Sequence, residues 1–239
     1  MIHQLVLPIR VSDTARFSNY FAGPNALVFQ SLSQLFIDET WPLDPIFLFG
    51  HRGTGKSHIL YAVANRLKGM SGRSDSTQRL SYLALSDKSV SVEMLETLAA
   101  DQLVLLDDVD VWAGNSVNEQ ALFALYERVK RARGGWVASS SASADAAGFE
   151  LVDLVSRLSS GLQFKLELLS EGERMEALKL RAEHRGFTIA DEPVRYLVKH
   201  FARDMHSLFQ LLETMDEKTL QAGRKITVPF LKEILSQRL

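Results

Sequence analysis

Across residues 46–165, short uninterrupted apolar runs alternate with segments whose apolar positions recur every three or four residues. Ile46-Phe47-Leu48-Phe49, Leu80-Ser81-Tyr82-Leu83-Ala84-Leu85, Leu103-Val104-Leu105-Leu106 and Gly135-Trp136-Val137-Ala138 read as buried strands, with Gln163-Phe164-Lys165-Leu166 as a weaker fifth. Runs that are apolar at every position, separated by helices, predict a parallel sheet covered on both faces. Residues 118–133 predict a helix capped by Asn118, with Leu122, Leu125, Tyr126 and Val129 on one face and Gly134-Gly135 at its end. After Ser170 the strand pattern stops. Ser170-Glu171-Gly172-Glu173 has the form of a capping box, opening a helix that runs through Arg185 to Gly186. Three further helical patterns follow near residues 192–200, 204–221 and 228–237. The expected organisation is an extended peptide over residues 1–12, an α/β domain over 13–166 and a small all-helical domain over 167–239.

Composition narrows the function classes. Hydrophobic residues are 46% and charged residues 23% of 239, enough to build a real core. A net charge of -2 argues against a dedicated double-strand DNA binder, which carries a basic domain or stripe. Without cysteine there is no disulfide framework and no thiolate chemistry, which fits a reducing compartment. No apolar run spans a bilayer, and the first ten residues lack the pattern of a secretory signal. The expectation is a cytoplasmic protein with no membrane partner.

The chemistry-bearing motif is Gly50-His51-Arg52-Gly53-Thr54-Gly55-Lys56-Ser57, a full match to the phosphate-loop pattern between a strand and a helix that runs through Lys68. Phosphates require backbone N–H groups converging on them, a cation and a helix N-terminus, which the glycines, Lys56 and the following helix provide. Gly50, Gly53, Thr54, Gly55, Lys56, Ser57 and His58 are therefore expected against the phosphates, with Ser57 on a Mg²⁺ ion. The run Leu103-Val104-Leu105-Leu106-Asp107-Asp108 places two acids at the carboxyl end of a strand, where ligands of α/β sheets bind. Asp107 is expected to hold the Mg²⁺ through water and Asp108 to orient an attacking water. Ser139, after the fourth strand, is placed to sense a γ-phosphate, and Arg203, opening the third lid helix, is placed like the lid arginine that contacts phosphate in such folds.

At this point the chain resembles a known family. Phe17-Ser18-Asn19-Tyr20-Phe21-Ala22-Gly23-Pro24-Asn25, the phosphate loop, and Leu106-Asp107-Asp108-Val109-Asp110-Val111-Trp112-Ala113-Gly114 resemble the AAA+ domain of the DnaA/Hda family of bacterial replication proteins. Leu151-Val152-Asp153-Leu154-Val155-Ser156-Arg157-Leu158 is similar to the segment carrying that family's arginine finger, and Phe201-Ala202-Arg203-Asp204-Met205 resembles its lid sensor. The resemblance implies an AAA+ P-loop core with a helical lid and a bound adenine nucleotide, ADP or ATP, with Phe17, Phe21 and Asn25 near the base. It also implies Arg157 acting in trans on ATP held by the initiator DnaA, and it admits a homodimer. The ordinary alternative for Arg157 is an ion pair with Asp153 one helical turn earlier.

Two departures point to the regulatory, Hda-like branch of that family. The sequence ends at Leu239 shortly after the lid pattern, with no helix-turn-helix expected beyond it. Between Leu85 and Asp101 there is little room for a single-strand-binding insertion. Gln4-Leu5-Val6-Leu7-Pro8-Ile9 resembles the peptide that docks proteins on the β subunit of the DNA polymerase sliding clamp. In that peptide, which also includes Leu5, Gln4 would hydrogen-bond at one end of a pocket, Leu7 and Ile9 would fill an apolar groove, and Pro8 would keep the peptide extended. DNA would be met only indirectly, through the clamp, which would associate the protein with the nucleoid. The own nucleotide would then be a switch and Arg157 a negative regulator's tool. Two rival functions share the core. One is a helicase-loader ATPase; the other is a DnaA-like DNA binder using Arg73, Arg79, Lys88, Lys130, Arg131 and Arg133.

Overall fold

The computed structural model describes residues 15–36, 41–70, 80–200, 205, 207–212, 215 and 226–236. Five strands form one parallel sheet: β1 Ile46–Phe49, β2 Leu80–Ala84, β3 Leu103–Asp107, β4 Gly135–Ser140 and β5 Leu162–Lys165, in the spatial order β2-β3-β4-β1-β5. The ladder pairs Leu48 with Ser139 and Ala84 with Asp107. The carboxyl ends of β1, β3 and β4 thus share one edge, and beside β1 the strand order reverses. Crevices at such reversals are where open α/β sheets hold ligands.

The continuous apolar runs are explained by position. Ile46, Leu48, Leu103, Val104, Leu105 and Leu106 are wholly buried, each contributing roughly 1.5–3 kcal/mol by leaving water. β5 is the exception. It forms an outer edge with mostly exposed side chains, which is why its apolar signal is weak. Around the sheet lie α1 Ala26–Leu35, α2 Lys56–Met70, α3 Val92–Thr97, α4 Ser116–Arg131 and α5 Val152–Ser159. No helix among the described residues is long and apolar enough to cross a membrane.

Two details of α4 differ from the sequence expectation. The cap is Asn115, not Asn118: its Oδ1 accepts from the backbone of Val117 and Asn118, both at 3.1 Å. Asn118 lies in the first turn, one of the donors being capped. At the other end the helix stops at Ala132, and Arg133 rather than a glycine takes the left-handed conformation, φ +59.

The described residues divide into two compact units, one comprising those of 15–18 and 25–167, the other those of 19–24 and from 168 on. The second unit is helical: α6 Glu171–His184, α7 Asp191–His200, helical residues 205, 207–212 and 215, and α8 Val228–Ser236. Ser170 and Glu173 form the expected capping box, and Gly186 follows with φ +86. Leu178, Val194, Leu197, Leu208, Leu212 and Leu231 are buried together as its core. The buried guanidinium of Arg181 lies over the Phe209 ring.

Candidate functional site

The loop from Gly50 to Gly55 turns the chain from β1 into α2. Gly53 and Gly55 have φ of +88 and +96, conformations that side-chain-bearing residues rarely adopt, and this curls the loop back over the helix start. Gly50 N donates to Ser140 O at 3.2 Å, fastening the loop to the end of β4. Thr54 is buried and binds His51 O through both its backbone N–H and its hydroxyl. Lys56 is only 6% exposed; its Nζ donates to Gly50 O at 2.6 Å and His51 O at 3.1 Å. Burial pulls its pKa below the usual lysine range even though Asp108, Asp107 and Asp110 all act to raise it. A partly dehydrated ammonium held on two backbone carbonyls suits a dense anion, whose negative charge offsets the hydration that burial removes.

Across from the loop, the acids at the end of β3 sit in a hydroxyl network. Asp107 is buried; Tyr82 on β2 donates to its Oδ2 at 2.9 Å, and Ser139 on β4 donates to its Oδ1. Tyr82 also hydrogen-bonds Tyr61 of α2 at 3.0 Å. Burial, then the Asp107 charge, holds the Tyr82 phenol neutral well above its ordinary range. The fully buried Ser139 also accepts from Asp108 N at 3.0 Å, so its hydroxyl is committed to the two acids rather than turned outward. Asp108 has left-handed backbone, φ +56, and accepts from Ser86 Oγ at 2.9 Å. Its pKa is raised by burial first and by the neighbouring Asp107 next. Tyr61, Tyr82 and Ser86 were not marked by any motif: a tyrosine in an apolar strand or helix reads simply as core, and a serine after a strand as loop.

The remaining expected residues are dispersed. His58 meets Arg16 O at 3.2 Å, and Phe17 packs on Phe29 with ring centroids 5.4 Å apart, under the guanidinium of Arg66. Asn25, expected near a base, is instead a tie within the core: Nδ2 donates to Glu167 O at 2.9 Å, and Oδ1 accepts from Glu167 N at 2.7 Å. One N–H and the oxygen of the amide are thus committed to the Glu167 backbone, and the residue is 2% exposed. Phe21 belongs to the second unit. Arg203 and the peptide Gln4, Leu5, Leu7, Pro8 and Ile9 lie outside the described residues.

Arg157 stands on α5 with its side chain 47% exposed, and its partner is Glu127 of α4, Nε to Oε1 at 2.8 Å, rather than Asp153. The start of α5 is held from the same helix by Glu119. This carboxylate is 1% exposed and accepts from Gly114 N at 2.7 Å, from Glu150 N through both oxygens, and from Leu151 N at 2.6 Å.

Two family models match the chain: the bacterial DnaA ATPase domain over residues 12–168 and the Hda lid domain over residues 171–235. An uncharacterised protein of Haemophilus influenzae is 36% identical over 239 residues, which is 99% of this chain and 100% of that one. Among solved structures, domain III of the Thermotoga maritima replication initiation protein DnaA is similar with a TM-score of 0.73 and 18% identity, over 93% of this chain and 96% of that one. AMPPCP-bound DnaA from Aquifex aeolicus is similar with a TM-score of 0.69 and 19% identity, over 89% and 68%. At these identities the structural likenesses bear on the fold, an AAA+ core with a five-stranded parallel sheet.

Proposed function

The chain belongs to the bacterial DnaA ATPase-domain family, and from that premise we propose that it is a negative regulator of replication initiation. In this reading it docks on the sliding clamp through Gln4, Leu5, Leu7, Pro8 and Ile9. There it supplies Arg157 to ATP held by the initiator DnaA, and hydrolysis leaves the initiator in its ADP form. The observation that carries the reading is the half-exposed Arg157 on α5, in a chain whose residues 171–235 match the Hda lid domain. An arginine presented to a neighbour's phosphates stabilises charge in the transition state, an effect of roughly 10³–10⁵ in well-studied NTPases. Its planar fork spans two phosphate oxygens, which lysine cannot do.

The chain's own nucleotide, ADP or ATP, acts as a switch. Gly53, Thr54 and Gly55 supply the cradle, and phosphate oxygens would offset the hydration that Lys56 loses by burial. The donor set also fits a magnesium ion held mainly by phosphate and water: the Ser57 hydroxyl opens α2, and Asp107 offers a carboxylate whose two oxygens already accept from Tyr82 and Ser139. Such an ion would neutralise phosphate charge. Ser139 senses the site through Asp107 and Asp108 rather than by direct contact. The test is reconstitution: initiator-bound ATP is followed with the chain and clamp-loaded DNA, each omitted in turn. Stimulation that requires both supports the reading; stimulation unchanged by omitting the clamp refutes the docking half of it.

A further inference from the structure

Arg157 and Glu127 form an ion pair with side chains 47% and 35% exposed. Pairs this open contribute about 0.2–1 kcal/mol or less to a fold, so stability does not explain why the contact is formed. Its geometry is more informative. Only Nε of the guanidinium is engaged among the described residues, by Glu127 Oε1 at 2.8 Å. No described residue engages the two terminal amino groups, which make the end-on fork for a pair of phosphate oxygens.

We propose that Glu127 is a positioning residue for Arg157, fixing the plane of the guanidinium so that its terminal fork faces a neighbouring subunit. The inference rests on the trans role of Arg157 stated above. The helix carrying that arginine is short, two turns, and such helices are marginal without external support. Here α4 supplies the support at both ends. Glu119 binds the backbone of Glu150 and Leu151 at the start of α5, and Glu127 binds Arg157 near its end. The two glutamates are separated by about 12 Å of helix axis, and the residues they hold stand just before α5 and in its last turn. The two contacts therefore advance together, and α4 splints α5 along its length. A charge held in place before the reaction needs no reorganisation during it, which is the form in which it contributes most. Glu119 extends the arrangement inward. The same carboxylate takes Gly114 N, just beyond the 3-10 turn Val109–Trp112 that follows Asp108, so the acidic edge and the arginine helix share one anchor.

The test measures the initiator's ATP hydrolysis against concentration of the chain, on clamp-loaded DNA, for wild type, Glu127→Ala, Glu127→Gln, Arg157→Ala and the double alanine variant. Losing one side chain's preorganisation predicts a maximal rate about three- to tenfold lower for Glu127→Ala, with the half-saturating concentration unchanged. Glu127→Gln, which keeps an oxygen to accept from Nε, should retain more than half of the wild-type rate. The double variant should match Arg157→Ala, and melting of Glu127→Ala should stay within about 1–2 °C of wild type. A rise in rate for Glu127→Ala would mean the pair parks the arginine, and an unchanged rate would mean Glu127 is a bystander; either overturns the proposal while leaving the finger intact. Wild-type stimulation by Arg157→Ala would overturn the finger reading itself, and this inference with it.

Discussion

Glu119→Ala should destabilise the core more than any other single substitution of a charged residue in α4. The side chain is 1% exposed, and its carboxylate receives the N–H groups of Gly114, Glu150 and Leu151 at 2.6–3.1 Å. Truncation leaves three backbone donors without a partner, at about 1–3 kcal/mol each when water cannot replace it. Gly114 and Glu150 are exposed enough for water to reach them, so the lower bound applies and the expected loss is about 3 kcal/mol. A domain of this size shifts by about 2–4 °C per kcal/mol, giving a melting temperature roughly 6–12 °C lower. Glu119→Gln should fall between, because one oxygen still accepts while the amide nitrogen turns a donor toward donors. Tryptophan fluorescence is the appropriate signal, since Trp41, Trp112 and Trp136 all belong to the first unit and none to the lid. The exposed neighbour Gln120→Ala serves as control and should stay within about 0.5 kcal/mol of wild type. A Glu119→Ala variant that melts with the control would refute the claim that this carboxylate anchors α5.

Lys56→Ala should fold yet lose nucleotide-dependent stabilisation, which for wild type is about 2.7 kcal/mol at a hundred times Kd; melts with and without ADP and Mg²⁺ read it directly. Asp108→Asn should raise the melting temperature, because asparagine tolerates the left-handed φ of +56 and carries no buried charge. The folded state raises the Asp108 pKa, so the stability tied to its proton is full below the unfolded pKa and lost as pH rises through the folded one. The gain from Asp108→Asn should therefore be larger at about pH 7 than at about pH 4; the opposite trend in melts at the two values would count against the assignment. Gln4→Ala with Leu7→Ala should abolish clamp capture in a pull-down while leaving nucleotide binding unchanged.

What the sequence disclosed was local. Strands β1 and β3 were legible because strands buried on both faces are apolar at every position, and the Ser170–Glu173 capping box because its partners lie three residues apart. The Asn115 cap was missed in favour of Asn118, because both asparagines stand within one turn of the helix start and either could cap it by type alone. Contacts set by the tertiary fold left no such trace. Asn25 reaches a backbone 142 residues away, Glu119 one 31 and 32 residues away, and Arg157 a carboxylate 30 residues back in place of the one a turn before it. The phosphate loop and the acids of β3 were visible as motifs. The hydroxyls of Tyr82 and Ser86, which complete the acidic edge, come from strand positions and loops whose alignment exists only in the folded sheet.

The central claim is that Arg157 acts on a nucleotide held by another protein. The measurement that tests it most directly is the conversion of initiator-bound ATP to ADP on clamp-loaded DNA, comparing wild type with Arg157→Ala after both are shown to bind nucleotide and clamp equally. The account predicts a loss of about 10³-fold or more in stimulation by the variant, at unchanged binding. Stimulation by Arg157→Ala at the wild-type rate would contradict it and leave the residue an ion-pair partner of Glu127 alone.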